Sequence, residues 1–179
     1  MPISADTFKD VQSYLAGAVT IVTTRDEEGK PWGFTATSFC SLSLDPPLVL
    51  VCLAKSADCY LAFLNCSLFA VNMLSKRQQD LSQRFATKGD AKYQDVRFQD
   101  GQMGMPLLPD SLAFLECRVQ AVYPGGDHII LVGLVEHGEH VVSSHVMQPL
   151  LYYTRTYGTF TPLHQAEETL DARNKEKIG

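Results

Sequence analysis

Gly33-Phe34-Thr35-Ala36-Thr37-Ser38-Phe39-Cys40-Ser41-Leu42-Ser43-Leu44-Asp45-Pro46-Pro47 runs directly into Leu48-Val49-Leu50-Val51-Cys52-Leu53-Ala54-Lys55-Ser56. In the first half, hydroxylic or aromatic residues (Thr35, Thr37, Phe39, Ser41, Ser43) alternate with residues that are mostly small or apolar. That is the period of one strand presenting hydroxyls along one side. Asp45-Pro46-Pro47 ends it, because consecutive prolines offer no donors to a ladder and suit a turn. Leu48 to Leu53 is apolar at every position and reads as a second strand covered on both faces, before the chain turns polar at Lys55-Ser56. A hydroxyl-bearing strand beside a buried one, with Lys-Ser at its exit, makes a seat for a polar, anionic ligand.

On the N-terminal side, residues 5 to 16 read as an amphipathic helix capped by Ser4 or Asp6, with Phe8, Val11 and Leu15 on one side and Gly17 as its stop. Ala18 to Thr24 and the segment from Trp32 form an antiparallel pair across the polar loop 25–31. On the other side, a helix of about ten residues after Ser56 turns Tyr60, Phe63 and Leu64 inward, and Ser67 to Leu74 returns as a strand. Ser75-Lys76-Arg77-Gln78 has the capping-box pattern, so Lys76 to Ala86 is a helix whose buried side carries Leu81 and Phe85.

Glycines and prolines punctuate 87–109, an irregular excursion over the surface of a length often tied to function. Ser111 to Tyr123 alternates, with Ala113, Leu115, Cys117, Val119 and Ala121 on one face and Glu116, Arg118 and Gln120 on a wet one. Pro124-Gly125-Gly126-Asp127 turns the chain into a returning strand, His128 to Glu136. Residues 140–146 and 149–153 are candidates for short strands. The reading gives one domain over 1–160 and a charged tail over 161–179. Strands separated by turns, with two to three helices inserted rather than alternating, indicate a mainly β, antiparallel barrel and not a parallel α/β sheet.

Composition narrows the function. The 179 residues carry a net charge of −5, which argues against nucleic acid or an anionic membrane as partner. No apolar run approaches the ~20 residues of a membrane helix and no targeting pattern opens the chain, so the cytoplasm is the expected compartment. The five cysteines (Cys40, Cys52, Cys59, Cys66, Cys117) include no Cys-x-x-Cys and read as reduced core residues. His137, His140 and His145 match no ligand spacing, and no metal is expected. Neither a Gly-x-Gly-x-x-Gly nor a P-loop motif is present, and no Ser/His/Asp signature is visible. Taken alone, the Thr35 to Ser43 hydroxyls fit a solvent face as well as a ligand cleft, Lys55 fits a solvated helix start, and Arg84-Phe85 fits a helix C-terminus. His128 can equally be a turn residue bonded to Asp127 or face a ligand.

The stretch Gly33 to Pro47, with Val51-Cys52-Leu53-Ala54-Lys55-Ser56, Phe69-Ala70-Val71-Asn72-Met73-Leu74, Gly126-Asp127-His128 and Pro149-Leu150-Leu151-Tyr152-Tyr153, resembles the short-chain flavin reductases. These are the small components of two-component flavin-dependent monooxygenases. The resemblance runs in order from about Phe8 to Tyr157. It implies a Greek-key split β-barrel, a homodimer, and hydride transfer from NADH or NADPH to FMN or FAD, with reduced flavin passing to a separate monooxygenase. It further implies that Thr35, Ala36, Thr37 and Ser38 hold the isoalloxazine edge, with Gly33 and Cys52 in the same cofactor set. Ala54, Lys55, Ser56, Arg84, Phe85 and Ala86 would lie near the ribityl phosphate. His128, Tyr152 and Tyr157 would orient the nicotinamide, and no residue is expected to act as acid or base. Lys55 departs from the amide common in relatives, which bears on how the phosphate is held. The rival readings are a flavin- or haem-binding split barrel without reductase activity, and a structural or interaction barrel.

Overall fold

The computed structural model describes residues 1–140 and 148–163. The candidate strand at 140–146, His145 and most of the tail therefore lie almost wholly outside the described residues.

The described elements are helix α1 (Ala5–Gln12), β1 (Gly17–Ala18), β2 (Thr20–Arg25), β3 (Pro31–Ala36), β4 (Cys40–Ser43), β5 (Leu48–Ala54), α2 (Tyr60–Asn65), β6 (Leu68–Met73), α3 (Gln79–Phe85), β7 (Gln99–Asp100), β8 (Pro106–Leu107), β9 (Ala113–Gly125), β10 (His128–His140), β11 (Leu151–Tyr153) and β12 (Thr156–Gly158). The principal sheet is antiparallel with strand order β3-β2-β6-β9-β10-β5-β4, and β1, β11 and β12 form a small sheet of their own. Consecutive strands β3 and β4 thus occupy opposite edges of one sheet. The link between them brings those edges together and rolls the sheet into a barrel.

That geometry breaks the single strand expected over Gly33 to Leu44. At Thr37-Ser38-Phe39 the chain leaves β2, where Ala36 pairs with Thr20, and joins β5, where Cys40 pairs with Leu50. At the crossing the Ser38 hydroxyl replaces the ladder, accepting from the Cys52 N–H at 3.1 Å and donating to the Cys52 carbonyl at 3.2 Å. The core under the sheet is built from Val22, Phe34, Val51, Leu53, Phe63, Phe69, Val71, Ile129 and Leu131. Such fully buried aliphatic and aromatic side chains each contribute about 1.5–3 kcal/mol.

The capping box is present: Gln78 Oε1 accepts from the Ser75 N–H at 3.0 Å. Its first turn is 3₁₀ (Lys76–Gln78), α3 follows, and Phe85 is buried as expected while Leu81 is half-buried. Other expectations are corrected. Helix α1 has Ser4 as its cap but buries nothing, and Phe8, Val11 and Leu15 are exposed, because the helix is tied to the body only through the 13–15 and 153–155 segments. Helix α2 is shorter than expected and Leu64 is exposed. β5 alternates: Val49, Val51 and Leu53 are buried, whereas Leu48, Leu50, Cys52 and Ala54 are half-exposed. Glu116 is fully buried, not wet, because the 99–107 excursion folds over β9 and donates the Met103 and Met105 N–H groups to its carboxylate. The 87–109 segment is correspondingly part of the core layer, with Lys92, Met105, Leu107 and Leu108 buried.

Candidate active site

Where the two sheet edges meet, a cavity of about 420 Å³ opens, lined by Thr35, Ala36, Thr37 and Ser38 from the crossing and by Cys52, Ala54 and Ser56 from the end of β5. Phe85, Ala86, Thr87 and Lys88 after α3, together with Asp58, Lys92 and His128, complete its wall. Its volume lies within the ~300–1,000 Å³ of small-molecule and cofactor sites. A second cavity, about 540 Å³ beside the 25–32 hairpin, contains none of the expected site residues.

β3 gives the cavity its polar edge. It is the edge strand of the sheet and bonds only to β2 on one side. The Gly33 N–H donates outward to the Tyr93 hydroxyl at 3.2 Å, so by strand periodicity the N–H and C=O of Thr35 lie on the same outer edge. Gly33 itself is a packing residue, not a cavity residue: a Cβ there would stand 2.9 Å from the Phe85 ring, so only glycine lets α3 lie this close to β3. The Thr35 hydroxyl donates to the Ser82 carbonyl at 2.7 Å, which locks α3 to the strand.

His128 begins β10 opposite Ala54, after a turn in which Gly126 has φ +71°. A left-handed residue is required there and glycine takes it without strain. The imidazole is 43% exposed, with Nδ1 2.7 Å from the Asp127 carboxylate. The hydrogen bond and the charge of His128 hold Asp127 below the usual carboxylate range. Asp127 can then only accept, so Nδ1 carries the proton and Nε2 is the nitrogen left for other contacts.

Besides Gly33, four expected site residues lie elsewhere. Lys55 turns to the β9–β10 turn, where its ammonium donates to the Gly126 carbonyl at 2.6 Å and its N–H to the Asp127 carbonyl. Arg84 points away from the cavity and donates to the Lys92 and Gln94 carbonyls. Tyr152 and Tyr157 pair edge to face across β11 and β12 against the core of Val19, Ile21, Leu74 and Phe85. Tyr157 touches the site only through α3, its hydroxyl 3.0 Å from that of Ser82.

Sequence reading also missed three charged members of the wall, Asp58, Lys88 and Lys92. Asp58 accepts from the Gly89 N–H and from the Lys92 ammonium, both at 2.7 Å, and Lys92 donates in addition to the Thr87 carbonyl at 3.2 Å. The Lys92 side chain is only 1% exposed. Partial burial pulls Asp58 upward, but the Lys92 ammonium and the Gly89 N–H outweigh it and hold the carboxyl below its ordinary value. Lys88, four residues before Lys92, is exposed at the cavity rim. A lysine inside an apparently irregular segment gives no periodic signal, and only its partner Asp58 reveals that it is buried.

Residues 12–161 match the model of the flavin reductase like domain. The chain belongs to this family. It is 44% identical over 127 residues to a probable flavin reductase of Rhizobium meliloti, covering 71% of this chain but only 41% of that longer relative. It is 35% identical over 160 residues to the reductase subunit HsaB of a flavin-dependent monooxygenase of Mycobacterium tuberculosis, covering 89% of this chain and 84% of the relative. Among solved structures, the Streptomyces globisporus NADH:FAD oxidoreductase SgcE6, in complex with NAD and FAD fragments, superposes with a TM-score of 0.81 at 29% identity. The match covers 91% of this chain and 98% of that one. The expected split-barrel architecture is thus confirmed.

Proposed function

We propose that the chain is an NAD(P)H-dependent flavin reductase that transfers a hydride from nicotinamide to FMN or FAD and supplies reduced flavin to a separate flavin-dependent monooxygenase. The observation that carries this reading is the single cavity that gathers Thr35 to Ser38, Ala54, Ser56, Phe85, Ala86 and His128 in a chain of the flavin reductase like family. The cavity suits the cofactor: the uncovered edge of β3 offers N–H and C=O groups to ring heteroatoms, and Lys88 stands exposed among the lining residues.

A flavin held in this cavity would supply the electron chemistry, taking up the hydride that oxidises NAD(P)H to NAD(P)+ and leaving in its reduced form. The residues of the chain therefore have to bind, orient and exclude water. Thr35, Ala36, Thr37 and Ser38 hold the ring edge, with Cys52 behind Ser38. Ala54, Ser56, Phe85 and Ala86 flank the ribityl phosphate. His128, fixed by Asp127, presents Nε2 to the open side where a nicotinamide stacks. Tyr152 and Tyr157 serve behind this wall, Tyr157 by holding Ser82 and through it Thr35.

The working unit in this reading is a homodimer. Its support is the run of exposed or half-exposed leucines along β4, the turn after it and β5, Leu42, Leu44, Leu48 and Leu50, with Leu44 92% exposed. Covering such a face in an obligate dimer takes on the order of 2,000 Å². The deciding experiment is steady-state oxidation of NADH and of NADPH with FMN, FAD and riboflavin as acceptors. Turnover with a flavin is expected. Flavin binding without nicotinamide oxidation would instead identify a non-reductase flavin carrier, and no flavin affinity at all would leave a structural barrel.

A further inference from the structure

Neither cation expected at the phosphate lines the cavity, since the ammonium of Lys55 is bonded to the Gly126 carbonyl and Arg84 is bonded to the Lys92 and Gln94 carbonyls on the far side of α3. The lysines that do line it are Lys88 and Lys92. They are not alike. Lys88 is exposed and has no side-chain partner among the described residues, whereas Lys92 is buried in an ion pair with Asp58 at 2.7 Å.

That pair has a definite mechanical effect. Asp58 receives the Gly89 N–H, and Lys92 reaches back to the Thr87 carbonyl, so both groups flanking Lys88 are fastened to one carboxylate. Asp58 itself follows the Ala54–Ala57 turn, which is closed by the Ala57 N–H on the Ala54 carbonyl. The brace thereby fixes the 86–89 backbone against the 54–58 turn, the two edges between which Phe85, Ala86, Ala54 and Ser56 face the cavity. A buried ion pair adds little net stability over an apolar pair of equal volume, but it sets geometry when its remaining hydrogen bonds are made, as here.

We propose that Lys88 is the cation that meets the anionic end of the flavin, and that the buried Asp58–Lys92 pair is the positioning device that holds Lys88 and the Phe85–Lys88 backbone in place to do so. This rests on the flavin reading. It assigns phosphate recognition to the 86–92 segment and takes it away from Lys55 and Arg84.

Equilibrium titration with FMN and with riboflavin, which lacks the phosphate, separates this role from general structural support. The parent protein should bind FMN at least tenfold more tightly than riboflavin. Lys88→Ala and Lys92→Met should each lower FMN affinity about tenfold (~1.4 kcal/mol) while riboflavin affinity stays within twofold, and Lys92→Arg, which keeps the pair, should retain most of the preference. Lys55→Ala should leave the preference intact. Lys88 is exposed, so its variant decides the matter even if Lys92→Met does not fold. Parent protein that binds neither flavin defeats the functional reading itself. Parent protein that binds both equally, or variants that lose FMN and riboflavin in the same proportion or lose neither, would overturn the phosphate assignment and leave the flavin reading standing.

Discussion

Strands β2 and β5 reverse what their compositions suggest. β2, Thr20-Ile21-Val22-Thr23-Thr24-Arg25, carries three threonines and is buried from Thr20 through Thr24, whereas β5 is wholly apolar and buries only alternate residues. The threonines of β2 are buried at little cost because each hydroxyl is bonded: Thr20 to the Ala36 carbonyl, Thr23 to the Pro106 carbonyl and Thr24 to the Leu68 carbonyl. The 99–108 excursion lies over that side of the sheet and supplies the Pro106 partner. On the outer side of β5, Leu48, Leu50, Cys52 and Ala54 stay half-exposed among the described residues. Burial is decided by what is folded on top of a strand, and the apolar residues left over on β5 belong to the face proposed for a second copy.

The largest effect should come from challenging the uncovered strand. Leu50→Asp would place two charges in the proposed dimer interface, at about 3–5 kcal/mol each if they are left unpaired there, while the isolated barrel tolerates an exposed aspartate. Sedimentation or light scattering should show the parent as a particle of twice the 19.8 kDa chain mass and the variant as a monomer. A parent that is already monomeric at micromolar concentration refutes the dimer.

The next effect tests the covered strand. Asn72 is fully buried, donates to the Ile21 carbonyl and Thr23 hydroxyl, and accepts from the Leu108 N–H, so it bonds β2 to the excursion that covers it. Asn72→Ala should destabilise the fold by about 3 kcal/mol or more, since each buried partner left unpaired costs about 1–3 kcal/mol. Chemical denaturation measures it. A loss below about 1 kcal/mol would mean that the excursion contributes little to covering β2.

His128 stands at the end of the uncovered face, opposite Ala54 of β5. His128→Ala should lower kcat/KM for the nicotinamide about tenfold (~1.4 kcal/mol) with flavin affinity nearly unchanged. Stopped-flow reduction of flavin-loaded variant at the parent rate and affinity would make His128 a turn residue only.

The smallest effect is that of pH on the Asp58–Lys92 brace. The Asp58 carboxyl titrates lower in the folded chain than its ordinary value, so the unfolded chain binds the proton first as pH falls. The stabilisation is therefore complete above about pH 5 and is lost progressively below about pH 4. Denaturation midpoints of parent and Asp58→Asn should differ at neutral pH and converge at low pH. A difference that persists unchanged at pH 3 would assign the effect to something other than ionisation.

The sequence by itself determined whatever depends on neighbours along the chain. Strand periods, the Asp45-Pro46-Pro47 turn, the Ser75–Gln78 cap and the Gly126 turn are local, because backbone dihedrals and hydrogen bonds over a few residues set them. The family resemblance, carried by Gly33 to Ser56, also pointed correctly to the fold, and most of the residues it named line one cavity. Only the tertiary structure decided the rest. It broke the Thr35–Ser43 strand at Ser38, because closing a barrel requires the chain to change partners there. It buried Glu116 under the excursion, and it left half of β5 uncovered. It sent Lys55 to the Gly126 carbonyl and set Lys92 against Asp58. A charged side chain goes where a partner distant in sequence compensates its desolvation, and no periodicity along the chain encodes that partner.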